Sequence, residues 1–420
     1  MLAAAKLALG AWVLHAGFTH VSDDDYARTV IAQQFAHAPR LDPSGTSWLP
    51  APFWIEGLAM MVLGRTLAAA RAVAMILGAA SVAAPYLAMR AAGMKRAAAI
   101  AATAVAMTLP WSMWLGVATV PEGWANALVA AGVIAMAVEG ARPWAAAALL
   151  VASLSRYEAW PACAVMAAFC AWGAAAAWPR EGRRTAVACA LAAVAGPVAW
   201  MLWNAHAHGS ALHFVARVTN FRRAIGAADV PVVDKLLDYP RALVTEAPVA
   251  ALLGLTGCAG LLRPELRRRW GLPALTAAVV LAFLVWGDVR DGAPTHHPAR
   301  ALVAVWWILV AMGADTLATL FALHRRALAY AVGGLLTVAT VATLLLNASA
   351  PPGTSDADAR EPQIARGFDL RARHVLHADV TPCAFEHFAM LAAWGAPERA
   401  NVAPRTGAPV TADCPAVVER

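Results

Sequence analysis

Charged residues are scarce in this sequence of 420 residues. They make up 14% of it, and apolar residues make up 60%, whereas soluble domains contain about 25% charged and about 45 to 50% apolar residues. Apolar runs of about 17 to 25 residues recur along the chain, and each is long enough to cross the hydrocarbon of a bilayer. The scarcity of charge excludes an ordinary soluble protein. It predicts an all-α polytopic membrane protein, with the lipid bilayer as its first partner.

Cysteine is also scarce, with six in the chain. Four of them lie inside apolar runs and act as small hydrophobic side chains. These are Cys163, Cys170, Cys189 and Cys258. Neither a CxxC motif nor a Cys/His ligand spacing is present, which gives no support to a structural zinc site. Cys383 and Cys414 lie in a polar region, and the sequence leaves open whether they form a disulfide in an oxidising compartment.

The formal net charge of +7 would suggest nucleic-acid binding in a soluble chain. Here the basic residues lie in short connections between apolar runs, where they determine topology. One alternate set of short connections carries 13 Lys and Arg, and the opposite set carries 3, namely Arg156, Arg290 and Arg300. The asymmetry predicts a cytoplasmic N-terminus and an outer C-terminus, in what we expect to be a bacterial plasma membrane. Nucleic acid is not an expected partner.

Apolar runs separated by charged breaks predict about eleven crossings within residues 1–347. The predicted crossings are 1–18, 65–90, 96–117, 121–139, 142–155, 157–178, 186–206, 246–263, 271–287, 299–322 and 327–347. We expect the first to be a retained helix, since no clear cleavage site follows it. With this topology the long polar segments 19–64, 207–245 and 288–299 lie outside. So does the tail, 348–420, which opens with PPGTSDADAREP and predicts a linker before a small outer appendage.

The first outer loop begins with three consecutive carboxylates, Asp23, Asp24 and Asp25. Like charges this close resist ionising together, and a helix N-cap explains one of them but not three. Pro and Gly turns then lead to a second amphipathic segment, Pro52 to Leu63. The loop therefore predicts two interfacial helices lying on the outer membrane surface.

Two further charged motifs interrupt apolar sequence on the outer side. Glu122 follows Pro121 in a tight turn, where it either serves a site or only stabilises the dipole of a helix start. Arg156 and Glu158 lie in the apolar stretch SLSRYEAWP. Charges this close to hydrocarbon predict function, although a simple Arg/Glu pair that stabilises a hairpin is the alternative.

A fourth motif, GDVRDGAPTHHPARAL, covers residues 287–302. Its adjacent histidines, His296 and His297, are poorly placed to bind one metal ion, so phosphate recognition together with Arg300 fits the pattern better. Trp48 and other outer tryptophans form either an interfacial belt or stacking platforms for sugars. Acids, arginines and tryptophans on one side of the bundle predict a lipid-linked phosphorylated substrate.

The motif SDDDYAR resembles the GT-C superfamily of polyprenyl-phosphate-sugar-dependent glycosyltransferases, which includes protein O-mannosyltransferases and lipid A aminoarabinose transferases. In that superfamily an acidic pair follows the first helix, often with Tyr-Ala shortly after. Asp23, Asp24 and Tyr26-Ala27 match this pattern. The resemblance covers about residues 1–310.

Three later motifs extend the resemblance. Glu122 takes the place of the family's second loop acid, and RYE at 156–158 resembles a motif near its site. HHPAR at 296–300 resembles a His-Lys-Glu-x-Arg loop of some mannosyltransferases but lacks its acid. This departure weakens the likeness to that branch of the superfamily.

The resemblance implies a GT-C-like bundle that moves a sugar, with inversion, from a polyprenyl-phosphate donor to a hydroxyl or amine of a glycan, lipid or protein acceptor. Asp24 would be the general base. The other catalytic candidates are Asp23, Asp25 and Glu122. Arg156 and Arg300, helped by His297, would stabilise the departing phosphate. The residues expected to contact substrate are Arg156, Tyr157, Glu158, His296, His297, Arg300, Trp48 and Tyr26. The family has metal-dependent and metal-independent members, and Asp24 and Glu122 would bind Mg²⁺ or Mn²⁺ if either is used.

The main alternative is a multi-pass transporter or flippase of a lipid-linked glycan. Transporters place ionisable residues near the membrane midplane, often in two repeated halves. Here the predicted crossings are nearly free of charge, with Asp315 the main exception, and no internal repeat is evident. The sequence therefore favours a glycosyltransferase.

Overall fold

The computed structural model describes residues 1–175, 180–224, 229–292, 297–322, 326–348, 354–411 and 413–420. Within these ranges the chain forms nineteen α-helices and three short strands. The first ten helices are α1 (Leu2–His15), α2 (Asp24–His37), α3 (Ala51–Leu63), α4 (Leu67–Ser81), α5 (Ala83–Ala91), α6 (Arg96–Met107), α7 (Pro110–Trp114), α8 (Glu122–Ala135), α9 (Arg142–Ser153) and α10 (Ala159–Ala175). The next seven are α11 (Arg180–His208), α12 (His213–Ala224), α13 (Val232–Thr245), α14 (Pro248–Gly260), α15 (Pro264–Val289), α16 (Pro298–Ala322) and α17 (Arg326–Ala348).

Helices lie at each of the predicted crossings, but they differ in length. Four are long and apolar enough to cross a membrane: Leu67–Ala91, Gly182–His208, Pro264–Val289 and Pro298–Ala322. The pair α13 and α14 adds a fifth if the two are counted as one span, and they meet at a bend of 94°. The others are shorter apolar helices or helices broken by turns. A nearly all-α architecture with membrane-length apolar helices is confirmed, whereas the number of eleven crossings stays a prediction.

Helix α16 forms the centre of the bundle. Nearly all side chains of its first half are buried, and it packs against α6, α8 and α14. Small residues allow the close approach to α14, since a Cβ atom added at Gly257 would lie 2.7 Å from the Cβ of Met312. Such small-residue contacts are common between membrane helices. They hold the middle of α16 against α14.

The first outer loop contains the two predicted helices, α2 and α3. They pack against each other, and α3 begins at Ala51, one residue before the predicted start. Their position in the membrane interface stays a prediction. One face of α2 is covered by protein, because Tyr26 and Val30 belong to an apolar cluster that the C-terminal tail completes.

The tail differs from its prediction. Residues from Thr354 onward form a helix, α18 (Thr354–Ala372), so the linker prediction for this part of the chain is wrong. Three strands, β1 (Ala378–Thr381), β2 (Ala400–Val402) and β3 (Ala416–Glu419), form a sheet in the order β2-β1-β3. Strand β1 is parallel to β2 and antiparallel to β3. Helix α19 (His387–Trp394) packs on α18 and α2.

Cys383 and Cys414 form a disulfide within the tail. The sequence left this pairing open. The bond ties the segment before α19 to the segment before β3, so it closes a unit that is too small to build a large core alone. The tail is therefore a small folded appendage that lies against the first outer loop.

Candidate active site

A network of ion pairs, most of them buried, joins four motifs that are far apart in sequence. Arg300 Nη2 donates to Glu122 Oε1 at 2.6 Å, and Arg156 Nη1 lies 3.1 Å from the same oxygen. Arg156 also binds Glu158 through Nε and Nη2 at 2.8 to 3.1 Å. At the other end Arg300 Nη1 donates to Asp24 Oδ2 at 3.3 Å. Predicted residues of the first loop, the Glu122 turn, the RYE motif and the HHPAR motif thus meet at one place.

Helix starts bring these side chains together. Asp24 and Glu122 are the first residues of α2 and α8, and Arg300 lies in the first turn of α16. Pro121 and Pro298 set two of the starts, because proline is favoured in the first turn of a helix. The acids stabilise the helix dipoles, and the same positions place them around Arg300. Glu122 thus lies at a helix start and also in the ionic network, and its part in a functional site stays a prediction.

The three consecutive carboxylates have different surroundings. Asp25 is fully buried and accepts hydrogen bonds from the backbone N–H groups of Val21, Ser22 and Thr119. Asp23 binds Arg360 of the tail in a bidentate pair at 2.6 and 2.8 Å.

Asp24 has the weakest of these contacts. The long bond to Arg300 is its one hydrogen bond with the described residues, and its side chain is 29% exposed. The structure therefore separates a buried anchor for the loop, Asp25, from a tail contact, Asp23, and from an accessible carboxylate, Asp24. The side chains of Asp23 and Asp24 are similarly exposed, at 27% and 29%, but both oxygens of Asp23 bind Arg360 and only one oxygen of Asp24 is bound. A base needs an accessible oxygen that is free to take the proton, so of the three carboxylates Asp24 is the candidate.

Arg28 is a functional candidate that the sequence analysis missed. It lies one turn after Asp24 and is buried, and its Nε and Nη1 atoms have no hydrogen-bond partner among the described residues. Its guanidinium lies 4.4 Å from the ring centre of Trp48. Burial lowers the pKa of Arg28, while the nearby carboxylates of Glu122 and Asp24 raise it. The four-residue spacing from Asp24 was the signal that could have found it.

Glu56 of α3 is a second missed residue. It is fully buried, and its Oε2 atom has no hydrogen-bond partner among the described residues. Burial raises the pKa of Glu56 to about 8, and the opposing effect of Arg28 is smaller. Glu56 is therefore mainly protonated and uncharged at neutral pH. It does not neutralise the positive charge of the nearby Arg28.

Tyr157 and Tyr26 were predicted to contact substrate, but both are held by protein. The Tyr157 hydroxyl donates to the Ser47 carbonyl at 2.6 Å, and its ring stacks on Phe214. Tyr26 is buried, and its hydroxyl lies 3.3 Å from His20 Nδ1. Their positions give them a supporting role, in which Tyr157 joins the first loop to α12 and Tyr26 joins it to the tail.

The structure describes only part of the HHPAR motif, residues 296–300. His296 lies outside the described residues. His297 precedes α16, and its carbonyl accepts the backbone N–H of Arg300 at 3.1 Å. It therefore shapes the turn that carries Arg300, and its proposed contact with phosphate stays a prediction.

Tyr239 of α13 is the third residue that the sequence analysis missed. It is buried, and its hydroxyl has no hydrogen-bond partner among the described residues. The carboxylates of Glu158 and Asp288 lie close enough to act on it electrostatically. A buried hydroxyl without a hydrogen-bond partner is costly unless a ligand or water satisfies it. The single tyrosine in an amphipathic helix gave no signal in sequence.

The donor set does not suit a divalent cation. Asp24 and Glu122, the predicted ligands, are both bound to Arg300, whose positive charge lies between them. Within the described ranges, the one group of three potential metal ligands is Cys383, Glu386 and Cys414, and its two cysteines form the disulfide. A cation between Asp24 and Glu122 would have to displace a buried arginine, so no metal enters the proposed chemistry.

Comparison with known proteins finds similarity in structure but not in sequence. Neither a protein-family model nor a curated protein sequence matches the chain. An oligosaccharyltransferase of Archaeoglobus fulgidus, crystallised with Zn and sulfate, matches with a TM-score of 0.58 at 14% identity, over 89% of this chain. ArnT from Cupriavidus metallidurans matches with a TM-score of 0.54 at 16% identity, over 92% of this chain and 73% of its own. The chain has the GT-C fold.

This result confirms the resemblance at the level of the GT-C fold. The chain spans 55% of the length of the Archaeoglobus enzyme. Identities this low show the fold alone, and no residue role is carried over from these proteins to this chain. The roles of Asp24, Arg28 and Arg300 therefore depend on the geometry described above.

Proposed function

We propose that the protein is an inverting glycosyltransferase that moves a sugar from a polyprenyl-phosphate donor to a hydroxyl or amine acceptor. The GT-C fold, which it shares with an oligosaccharyltransferase and with ArnT, supports a glycosyltransferase. The observation that carries the proposal is the accessible carboxylate of Asp24, held by Arg300 at the edge of a buried ionic network.

Asp24 is the proposed general base. Its free oxygen takes the proton of the acceptor as the acceptor's oxygen or nitrogen attacks the anomeric carbon, and the bond from that carbon to the phosphate oxygen breaks. The bond from Arg300 orients the carboxylate. One displacement of this kind inverts the anomeric configuration. A positioned base of this type contributes about 10²- to 10⁴-fold in rate.

The charges around Asp24 suit a phosphate leaving group. Three arginines, Arg28, Arg156 and Arg300, act electrostatically on one another and on the acids Asp24 and Glu122. Glu158 is the third acid of the network, so three acids balance the three arginines. When Asp24 takes a proton, one positive charge loses its partner at the moment when the leaving phosphate gains a negative charge. The network thus stabilises the transition state more than the ground state.

The arginines have different proposed roles. All three nitrogens of Arg156 are engaged by Glu158 and Glu122, so we assign Arg156 to positioning Glu122, and not to the phosphate contact expected from sequence. Arg28 has unpartnered nitrogens and is the proposed phosphate ligand. The Arg28 guanidinium lies over the Trp48 ring, and this contact keeps the guanidinium in one orientation.

The site is proposed to face the outer side of a bacterial plasma membrane, with the N-terminus inside and the C-terminus outside. The disulfide supports this orientation, because the tail that contains it binds Asp23 beside the site, and disulfides persist in oxidising compartments. The acceptor is a glycan, lipid or protein with an exposed hydroxyl or amine.

Mass spectrometry of lipids that co-purify with the detergent-extracted protein tests the donor. We expect a polyprenyl monophosphate or its glycosylated form, enriched over the bulk membrane lipid. A matched preparation of Arg28→Gln should carry less of it. Co-purification of polyprenyl diphosphates alone would contradict the donor class, and NMR of a product with retained anomeric configuration would contradict the single displacement.

A further inference from the structure

Helix α13 has three distinct sides. At about 100° per residue, its buried residues Lys235, Tyr239 and Ala242 form one arc of about 60°. A second arc, of about 140°, is apolar and exposed. Its residues are Val232, Val233, Leu236, Leu237 and Val244. The third arc is polar and also exposed, and it contains Asp234, Arg241 and Thr245.

The exposed surface of α13 is thus divided lengthwise into an apolar and a polar half. An amphipathic helix of this pattern lies in a membrane interface, with its apolar face among the acyl chains and its polar face in water. In aqueous solution the exposed valines and leucines would form a contiguous apolar patch, which soluble surfaces rarely carry.

The orientation of α13 agrees with that position. It meets α14 at 94°, so if the apolar helix α14 runs along the membrane normal, α13 lies in the membrane plane. Leu252 and Leu255 of α14 are exposed apolar residues. Exposed apolar residues of this kind suit a helix in contact with lipid.

The contacts at the two ends of α13 also agree with an interfacial position. Its buried side is fixed to the outer end of α15 by Lys235, whose Nζ atom lies 2.6 Å from Asp291. Near its other end the Leu243 carbonyl accepts a hydrogen bond from Trp306 Nε1 at 3.1 Å. Trp306 comes six residues after Arg300 on α16, about 9 Å farther along that helix. This end of α13 is therefore joined to α16 beyond the turn that carries Arg300.

We infer that α13 is an interfacial helix whose apolar arc lies against the phospholipid acyl chains of the outer leaflet. Residues 207–245 were expected to be a polar outer loop, and this part of them belongs instead to the lipid boundary. The buried side of the same helix carries Tyr239, so the lipid-facing arc and a buried residue near the candidate site belong to one helix.

Spin labels on the full-length protein in phospholipid nanodiscs test the inference. Cys258 is exposed, so the label is introduced in a Cys258→Ala background, at Leu236→Cys and Val233→Cys on the apolar arc. Asp234→Cys and Arg241→Cys on the polar arc are the matched controls. The measurement compares collision rates with oxygen, which partitions into acyl chains, and with a water-soluble nickel chelate.

We expect the oxygen-to-nickel ratio to be several-fold higher at both apolar-arc positions than at both controls. Equal ratios on the two arcs would place α13 in water and overturn the inference. Shielding of the apolar arc from both reagents would overturn it as well, since another protein surface, such as a second copy of the chain, would then cover the arc. Two reporters on each arc keep the test valid if one variant fails to fold.

Discussion

Arg300 and Glu122 form a 2.6 Å ion pair between residues 178 positions apart in the chain, and both side chains are buried. Glu122 also binds Arg156, so one carboxylate holds the N-terminal ends of α8 and α16 and the turn before α10 in one arrangement. Breaking a buried pair leaves an uncompensated charge away from water. The pair therefore supports both the packing of these helix ends and the position of Asp24.

Glu122→Gln should destabilise the protein by roughly 3 to 5 kcal/mol, because two buried guanidinium groups would then face each other without their shared acid. Thermal unfolding in detergent measures this. Glu139→Gln, which changes an exposed acid, is the matched control and should leave the melting temperature unchanged. A melting temperature for Glu122→Gln equal to that of the wild type would show that the ionic chain carries little of the fold's stability.

Asp24→Asn should lower the rate of transfer by about 10²- to 10⁴-fold, because the amide keeps the shape of the side chain but cannot accept the proton. The melting temperature should stay close to that of the wild type. Asp25→Asn should instead lower the melting temperature, since Asp25 holds backbone N–H groups of two segments. If the two variants had the same profile, the division of roles between neighbouring carboxylates would be wrong.

Arg28→Gln should raise the KM for the lipid donor by about tenfold to a hundredfold, which corresponds to the roughly 1.5 to 3 kcal/mol of a hydrogen bond to a charged group. The KM for the acceptor should not change. Arg40→Gln is the matched control, since Arg40 is an exposed arginine of the same loop. Steady-state kinetics with each substrate varied in turn make the measurement, and a rise in the acceptor KM alone would move Arg28 to the acceptor side.

The buried acid Glu56 should make stability depend on pH. Burial raises its pKa from 4.5 to about 8 in the folded protein, so between these values the folded state binds more protons than the unfolded state. Stability from this group is complete below about pH 4.5 and is lost as the pH rises through 8. Thermal unfolding of Glu56→Gln should therefore decline less between pH 5 and pH 8.5 than that of the wild type. Parallel declines would contradict a raised pKa.

The sequence predicted much of the fold because membrane helices have a strong signal. Long apolar runs locate helices without any knowledge of their neighbours. The helical tail segment after Thr354 was missed because Ser, Asp and Pro also favour helix starts, and packing against α19 decides between the two outcomes. Whether each short apolar helix crosses the membrane depends on tilt and breaks that composition does not contain.

The site was predicted in part, for a similar reason. Asp24, Glu122, Arg156 and Arg300 interrupt apolar sequence, so their types and positions drew attention. Arg28, Glu56 and Tyr239 each lie in a segment that resembles an ordinary amphipathic helix. Their importance follows from burial and from missing hydrogen bonds, which only the tertiary arrangement determines. The sequence also did not distinguish Asp24 from its two neighbours, because their partners, Thr119 and Arg360, are far away in the chain.

The most direct test of the proposed chemistry is a transfer assay in proteoliposomes. The donor is the polyprenyl phosphate identified in the purified protein, and it carries a radiolabelled sugar. Wild-type protein should transfer the sugar with inverted configuration, and Asp24→Asn should bind the donor equally well but transfer nothing above background. If wild-type protein left the donor intact and instead moved a labelled solute across the vesicle membrane, the proposed transfer would be contradicted and a transporter would be favoured.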